Sequence, residues 1–151
     1  MTRVRVALLG VALAVAGCGE PDAPCGGAAL TVREPEAASR ADVQAIFGRS
    51  CAIGGCHASA PGAGGLALPQ ENAAWIDRIV GVRSQQNPAM DLVARGDPER
   101  SWLVHKISGD LCRFTCDVKV GCGGQMPFGD QLSAQERGVI LAWIRDGAST
   151  D

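Results

Sequence analysis

The chain is expected to fold as an all-α domain with long glycine-rich loops, and three observations predict this. Apolar residues recur at helical spacing in three short stretches. Each stretch is preceded by residues suited to cap a helix N-terminus. No run of alternating apolar and polar residues of useful length occurs anywhere, so no half-buried strand is encoded.

In chain order, residues 1–17 read as an export signal rather than as part of the fold. Arg3 and Arg5 give it a positive start, Val6 to Ala16 form an apolar run too short for a permanent transmembrane helix, and Val15-Ala16-Gly17-Cys18 closes it. That ending resembles a bacterial lipobox, and the resemblance implies cleavage before Cys18 and lipidation of its thiol. An ordinary secretory signal with a chance cysteine is the alternative, and both export the protein. Residues 18–38, with Pro21, Pro24, Gly26, Gly27 and Pro35, are expected to form a flexible tether.

The folded domain is expected over 39–151. Ser39 as N-cap, with Asp42 three residues on, leads into Val43, Ile46 and Phe47, and that helix should stop near Gly48. Residues 58–70 hold Pro61, Gly62, Gly64, Gly65 and Pro69 and cannot form a regular element. Ala73 to Val82 fits a short amphipathic helix or an ordered loop. Asp97-Pro98-Glu99 starts a helix carrying Trp102, Leu103, Val104 and Ile107 until Gly109. Ser133 and Glu136 form a capping box, followed by the stripe Val139, Ile140, Trp143 and Ile144 up to Gly147.

Composition makes this domain dependent on help from outside its side chains. Gly and Pro together number 28 in 151 residues, Tyr is absent, and Phe and Trp contribute three each. Such a chain is costly to order and has few large groups to offset that cost, so disulfides or a buried apolar cofactor are expected. The formal charge of -2 becomes -4 once Arg3 and Arg5 leave with the signal. A mildly acidic domain without a basic run offers no footprint for nucleic acid.

The segment Cys51-Ala-Ile-Gly-Gly-Cys56-His57 carries the chemistry. Covalent haem attachment needs two thiols to add to the porphyrin vinyl groups and a histidine directly after the second thiol to coordinate iron. Cys56-His57 has that adjacency. Four residues rather than the usual two separate the thiols, and Gly54-Gly55 gives the spacer freedom to bulge.

With Ile46-Phe47 before this motif, Gln125-Met126-Pro127 after it, and Leu141-Ala-Trp-Ile-Arg-Asp-Gly147 at the end, the chain from about residue 40 to residue 148 resembles the cytochrome c-like domains of bacterial lipoproteins. The resemblance implies three to four helices around one covalent haem c, with His57 as proximal and Met126 as distal iron ligand. Thioether sulfur favours ferrous iron, and Pro127 would stiffen the ligand loop. In that fold the first and last helices pack together, which makes Phe47 and Trp143 packing residues.

Alternatives stand beside each assignment. Cys51 and Cys56 could form a disulfide with His57 at the surface, or join a structural zinc site. Met126 could be a core methionine. His105, and after it Met90, are the other candidate distal ligands, or the distal position could be open. Cys25, Cys112, Cys116 and Cys122 form an even set suited to two disulfides. A Cys112–Cys122 bond would close the loop before Met126, but sequence leaves all three pairings open. Arg95, Asp97, Glu99, Arg100 and Lys106 read as a solvated charged face.

The expected function is that of an electron carrier rather than an enzyme, serving redox protein partners in the periplasm and held to the membrane through Cys18. Gly19 leans the location toward the outer membrane. A disulfide-stapled lipoprotein without haem, acting as a binding or structural module, and a haem sensor or enzyme with an open distal site are the alternatives.

Overall fold

A computed structural model of the chain describes residues 32, 35–70 and 74–149. Cys18, Cys25 and the export signal lie outside them. Regular structure among the described residues is helical: α1 (Arg40–Ser50), α2 (Ala74–Asp77), α3 (Trp102–Ser108) and α4 (Ala134–Arg145). Single 3-10 turns occupy Ala63–Gly65, Pro98–Arg100 and Leu111–Arg113. No strand forms among the described residues, and only isolated bridges (Val80–Val93, Arg83–Asp91, Asp91–Ser101) tie the middle loops together. The all-α expectation holds at this level.

α1 begins as its sequence predicts. The Asp42 N–H donates to the Ser39 hydroxyl, and the Ser39 N–H donates back to the Asp42 carboxylate at 2.9 Å. Two of the four unpaired N–H groups at a helix start are thus satisfied. The helix ends near Gly48 as expected, running two residues past it to Ser50. A mid-helix glycine costs only about 1 kcal/mol, and buried Val43, Ile46 and Phe47 hold the turn around it.

The helix expected from Asp97 is split. Asp97 caps only the Pro98–Arg100 turn, Ser101 is extended (φ -97°, ψ 109°), and α3 starts after it. The break follows from where the backbone groups find partners. Trp102 N–H donates to Asp91 O (2.8 Å), Leu103 N–H donates to Leu92 O (2.9 Å), and the buried Ser101 hydroxyl accepts from Ala94 N–H at 2.9 Å. Long-range pairing with residues 91–94 outweighs the local helix start.

α4 opens with the predicted box, Ser133 N–H donating to Glu136 Oε2 at 2.8 Å. Glu136 Oε1 also accepts from Arg49 at 2.7 Å, joining α4 to the end of α1. At its other end, Arg95 is not simply solvated: its guanidinium donates to the carbonyls of Gly147 and Ala148, each at 2.9 Å. These carbonyls lie just past the helix, whose own last-turn carbonyls at Trp143 and Ile144 accept from the N–H groups of Ala148 and Gly147.

Between α1 and α4 the core is aromatic. The Phe47 ring lies 5.0 Å from Trp75, and Trp75 lies 6.2 Å from Trp143, both pairs tilted. Of the described residues 74–82 only Ala74–Asp77 is helical, yet Trp75, Ile76 and Ile79 are all buried. Val32 and Ala38 also lie against the core, so packing begins inside the segment expected to be a free tether.

Candidate functional site

α1 delivers its C-terminus to the cysteine motif. Cys51 N–H and Ala52 N–H both donate to Phe47 O (2.9 and 2.7 Å), closing the last turn. The four-residue spacer then folds back on itself: Cys56 N–H donates to Ile53 O at 3.0 Å, and His57 N–H donates to Cys51 O at 3.2 Å. Gly55, at φ 83°, supplies the left-handed turn this requires.

His57 is fixed at two points. Its carbonyl accepts from Leu68 N–H at 2.7 Å, and its Nδ1 donates to Leu66 O at 2.8 Å. A carbonyl can only accept, so Nδ1 carries a proton, and Nε2 is the nitrogen left to coordinate a metal. Gly62 makes this possible. It sits at φ 68°, and a Cβ there would lie 1.9 Å from Leu66 O, the oxygen that receives the histidine proton.

Met126 is placed by the unsatisfied end of α3. His105 O accepts from Gly109 N–H at 2.9 Å, and Lys106 O accepts from Met126 N–H at 2.8 Å. Ile107 O accepts from the Gln125 side chain at 3.3 Å. The loop holding Met126 therefore docks because a helix C-terminus needs donors. Gln125 also bonds Gln131, and it packs over Gly109, whose φ of 76° ends the helix.

His57, Cys51 and Met126 line one cavity of about 490 Å³. Phe47, Leu68, Ile79, Leu92, Trp102 and Leu103 supply much of its apolar wall. Cys56 is half-buried beside it and not part of the wall. Both thiols are free, so the Cys51–Cys56 disulfide alternative is not formed. Burial pushes the Cys51 thiol up to about 11, with the neighbouring Cys56 adding to the effect. Zinc gains nothing either: among the described residues no group of three or more His, Cys, Asp and Glu side chains is placed to hold a metal ion.

Several sequence expectations are corrected here. His105 is buried with Nδ1 3.0 Å from the Asp110 carboxylate and Nε2 2.9 Å from Glu99 O, and its ring lies 4.3 Å from Phe114. Both of its nitrogens are engaged away from the cavity, which removes it as a distal ligand. Met90 is not part of the cavity wall. Lys106 is not on a solvated face but buried and on the wall, one helical turn after Trp102. The disulfide is Cys116–Cys122, not Cys112–Cys122, and Cys112 is engaged in another disulfide.

Gln86 is the residue sequence reasoning passed over. Its side chain accepts from the Trp102 indole N–H at 3.0 Å and its carbonyl accepts from Asp117 N–H at 2.8 Å, linking the cavity wall to the disulfide loop. Nothing in the Gln85-Gln86 pair signals this, because both partners are distant in sequence.

No family model, curated protein or solved structure matches the chain. Fold and site together define an all-α domain around an apolar cavity that has an imidazole, a thioether and a free thiol on its wall.

Proposed function

We propose that the chain is a monohaem c-type electron-transfer lipoprotein of the cell envelope with a cytochrome c-like arrangement. One observation carries this: His57, with Nδ1 donating to Leu66 O, shares an apolar cavity with the Met126 thioether and the Cys51 thiol. The donor set fits haem c. Cys51 and Cys56 are two free thiols for attachment, His57 offers Nε2 as proximal ligand, and Met126 offers a soft sulfur as distal ligand.

Haem c bound there supplies one-electron exchange between Fe(III) and Fe(II). The protein's own groups set how that exchange runs. The Leu66 carbonyl orients the imidazole and raises its basicity through Nδ1. Met126, tied through its N–H to Lys106 O, presents a ligand that favours the reduced state. Apolar Phe47, Leu68 and Leu103 exclude water and keep the local dielectric low. Export by residues 1–17 and lipidation at Cys18 would anchor the domain in the periplasm, toward the outer membrane, facing redox protein partners.

The test is to express the full precursor with a haem c maturation system and measure a pyridine haemochrome spectrum and the intact mass. One covalent haem per chain is expected. A product without haem, its Cys51 and Cys56 unmodified or joined to each other, would overturn the proposal.

A further inference from the structure

Lys106 is the cation that the cavity buries. It is 7% exposed and lies on the same face of α3 as Trp102, with both side chains on the cavity wall. Its ammonium donates to Cys122 O at 2.9 Å, which uses one of its three N–H groups. Among the described residues no carboxylate stands within ion-pair distance of it.

A buried ammonium without a counter-charge is unfavourable, and a hydrogen bond to one carbonyl does not explain it, because a neutral donor would serve that carbonyl. The other cations on the wall are placed differently. Arg78 is exposed, and Arg83 pairs with Asp91 at 3.3 Å. Gly123, also on the wall, leaves room at the Lys106 head, since a Cβ there would come within 3.1 Å of Nζ.

We propose that Lys106 is the anion anchor of the cavity, its ammonium pairing with a carboxylate of the molecule that fills the apolar space. This inference rests on the haem assignment, under which that carboxylate is a haem propionate. Lys106 is then a positioning residue, fixing the rotation of the macrocycle between His57 and Met126 and shielding the propionate charge from the iron.

The experiment uses the haem-loaded protein as wild type, Lys106→Gln and Lys106→Arg. Gln keeps a donor for Cys122 O but removes the charge, and Arg keeps the charge. Haem content is read from the pyridine haemochrome, the propionate contact from its resonance Raman bending mode, and the electrostatic effect from the midpoint potential. K106Q is expected to shift the propionate mode and lower the potential, and K106R to return the potential toward wild type. A haem-loaded K106Q with wild-type mode and potential would overturn the inference while leaving the haem assignment intact. If K106Q carries no haem, K106R decides: a haem-loaded K106R with a potential near wild type supports the inference, and a K106R that also carries no haem means the site needs the lysine for its shape and not for its charge, which overturns it. Wild type without covalent haem overturns both, and the haemochrome alone reports it.

Discussion

His57 Nδ1 donates to the carbonyl oxygen of Leu66 at 2.8 Å, across a loop nine residues long. That loop closes only because Gly62 adopts φ 68° beside the same oxygen. Gly62→Ala should therefore destabilise the protein by about 1–3 kcal/mol, because φ 68° with ψ 161° is a conformation essentially confined to glycine, and the added methyl must displace Leu66 O as well. Urea denaturation measures the first effect, and nitrogen-15 NMR of the His57 ring measures the loss of the fixed tautomer. An unaltered imidazole spectrum would count against the role given to Leu66.

Met126 and His105 make opposite predictions in the haem-loaded protein. Met126→Ala should change the visible spectrum of the oxidised form, and an unchanged spectrum would remove Met126 as ligand. His105→Ala should leave that spectrum as it is, because both ring nitrogens serve Asp110 and Glu99 instead. It should still cost about 1–3 kcal/mol of stability, since Asp110 loses a partner in a half-buried position.

The Glu136 carboxyl is held below its ordinary value of 4.5, first by the hydrogen bond from Arg49 and then by the Ser133 backbone and hydroxyl. A depressed folded-state pKa means that the unfolded chain takes up a proton first as pH falls. The stabilisation is thus present above pH 4.5 and lost as pH drops through the lower folded value. Glu136→Gln should be less stable than wild type at pH 7 by about 0.5–1 kcal/mol, a modest figure because the pair faces solvent. The two proteins should converge as pH falls below 4.5 and through the depressed folded value, when urea midpoints are compared across pH.

Trp75 touches Phe47 of α1 on one side and Trp143 of α4 on the other. Truncating it to Ala should cost about 3–5 kcal/mol, as for other fully buried large aromatics. A loss below about 1 kcal/mol in chemical denaturation would mean that α1 and α4 do not depend on it.

Features set by local chemistry were legible in the sequence. Ser39 with Asp42 and Ser133 with Glu136 fix two helix starts because a cap needs only a spacing of three. The Cys51 to His57 segment and Met126 could be singled out by residue type, and the structure sets Cys51, His57 and Met126 around one cavity. What could not be read depends on partners far along the chain. Ser101 breaks a helix because its neighbours bond to residues 91–94. Lys106 looks like surface charge until its spacing of four from Trp102 is weighed above its polarity. Cys122 joins Cys116 because the turn between them closes on itself, Gly121 N–H donating to Asp117 O at 2.7 Å, and that turn has no distinctive sequence signal.

Trp75, Trp102 and Trp143 are the only tryptophans, all at most 1% exposed, and the chain contains no Tyr. Every photon of intrinsic emission excited near 295 nm, roughly the tryptophan edge, therefore originates inside the protein. Trp75 and Trp143 report on the contact between the two terminal helices, while Trp102 looks onto the cavity. A light-absorbing occupant would darken Trp102 by energy transfer, and unfolding would restore its emission. The molecule thus carries a built-in optical gauge of both its packing and its contents, readable without any label.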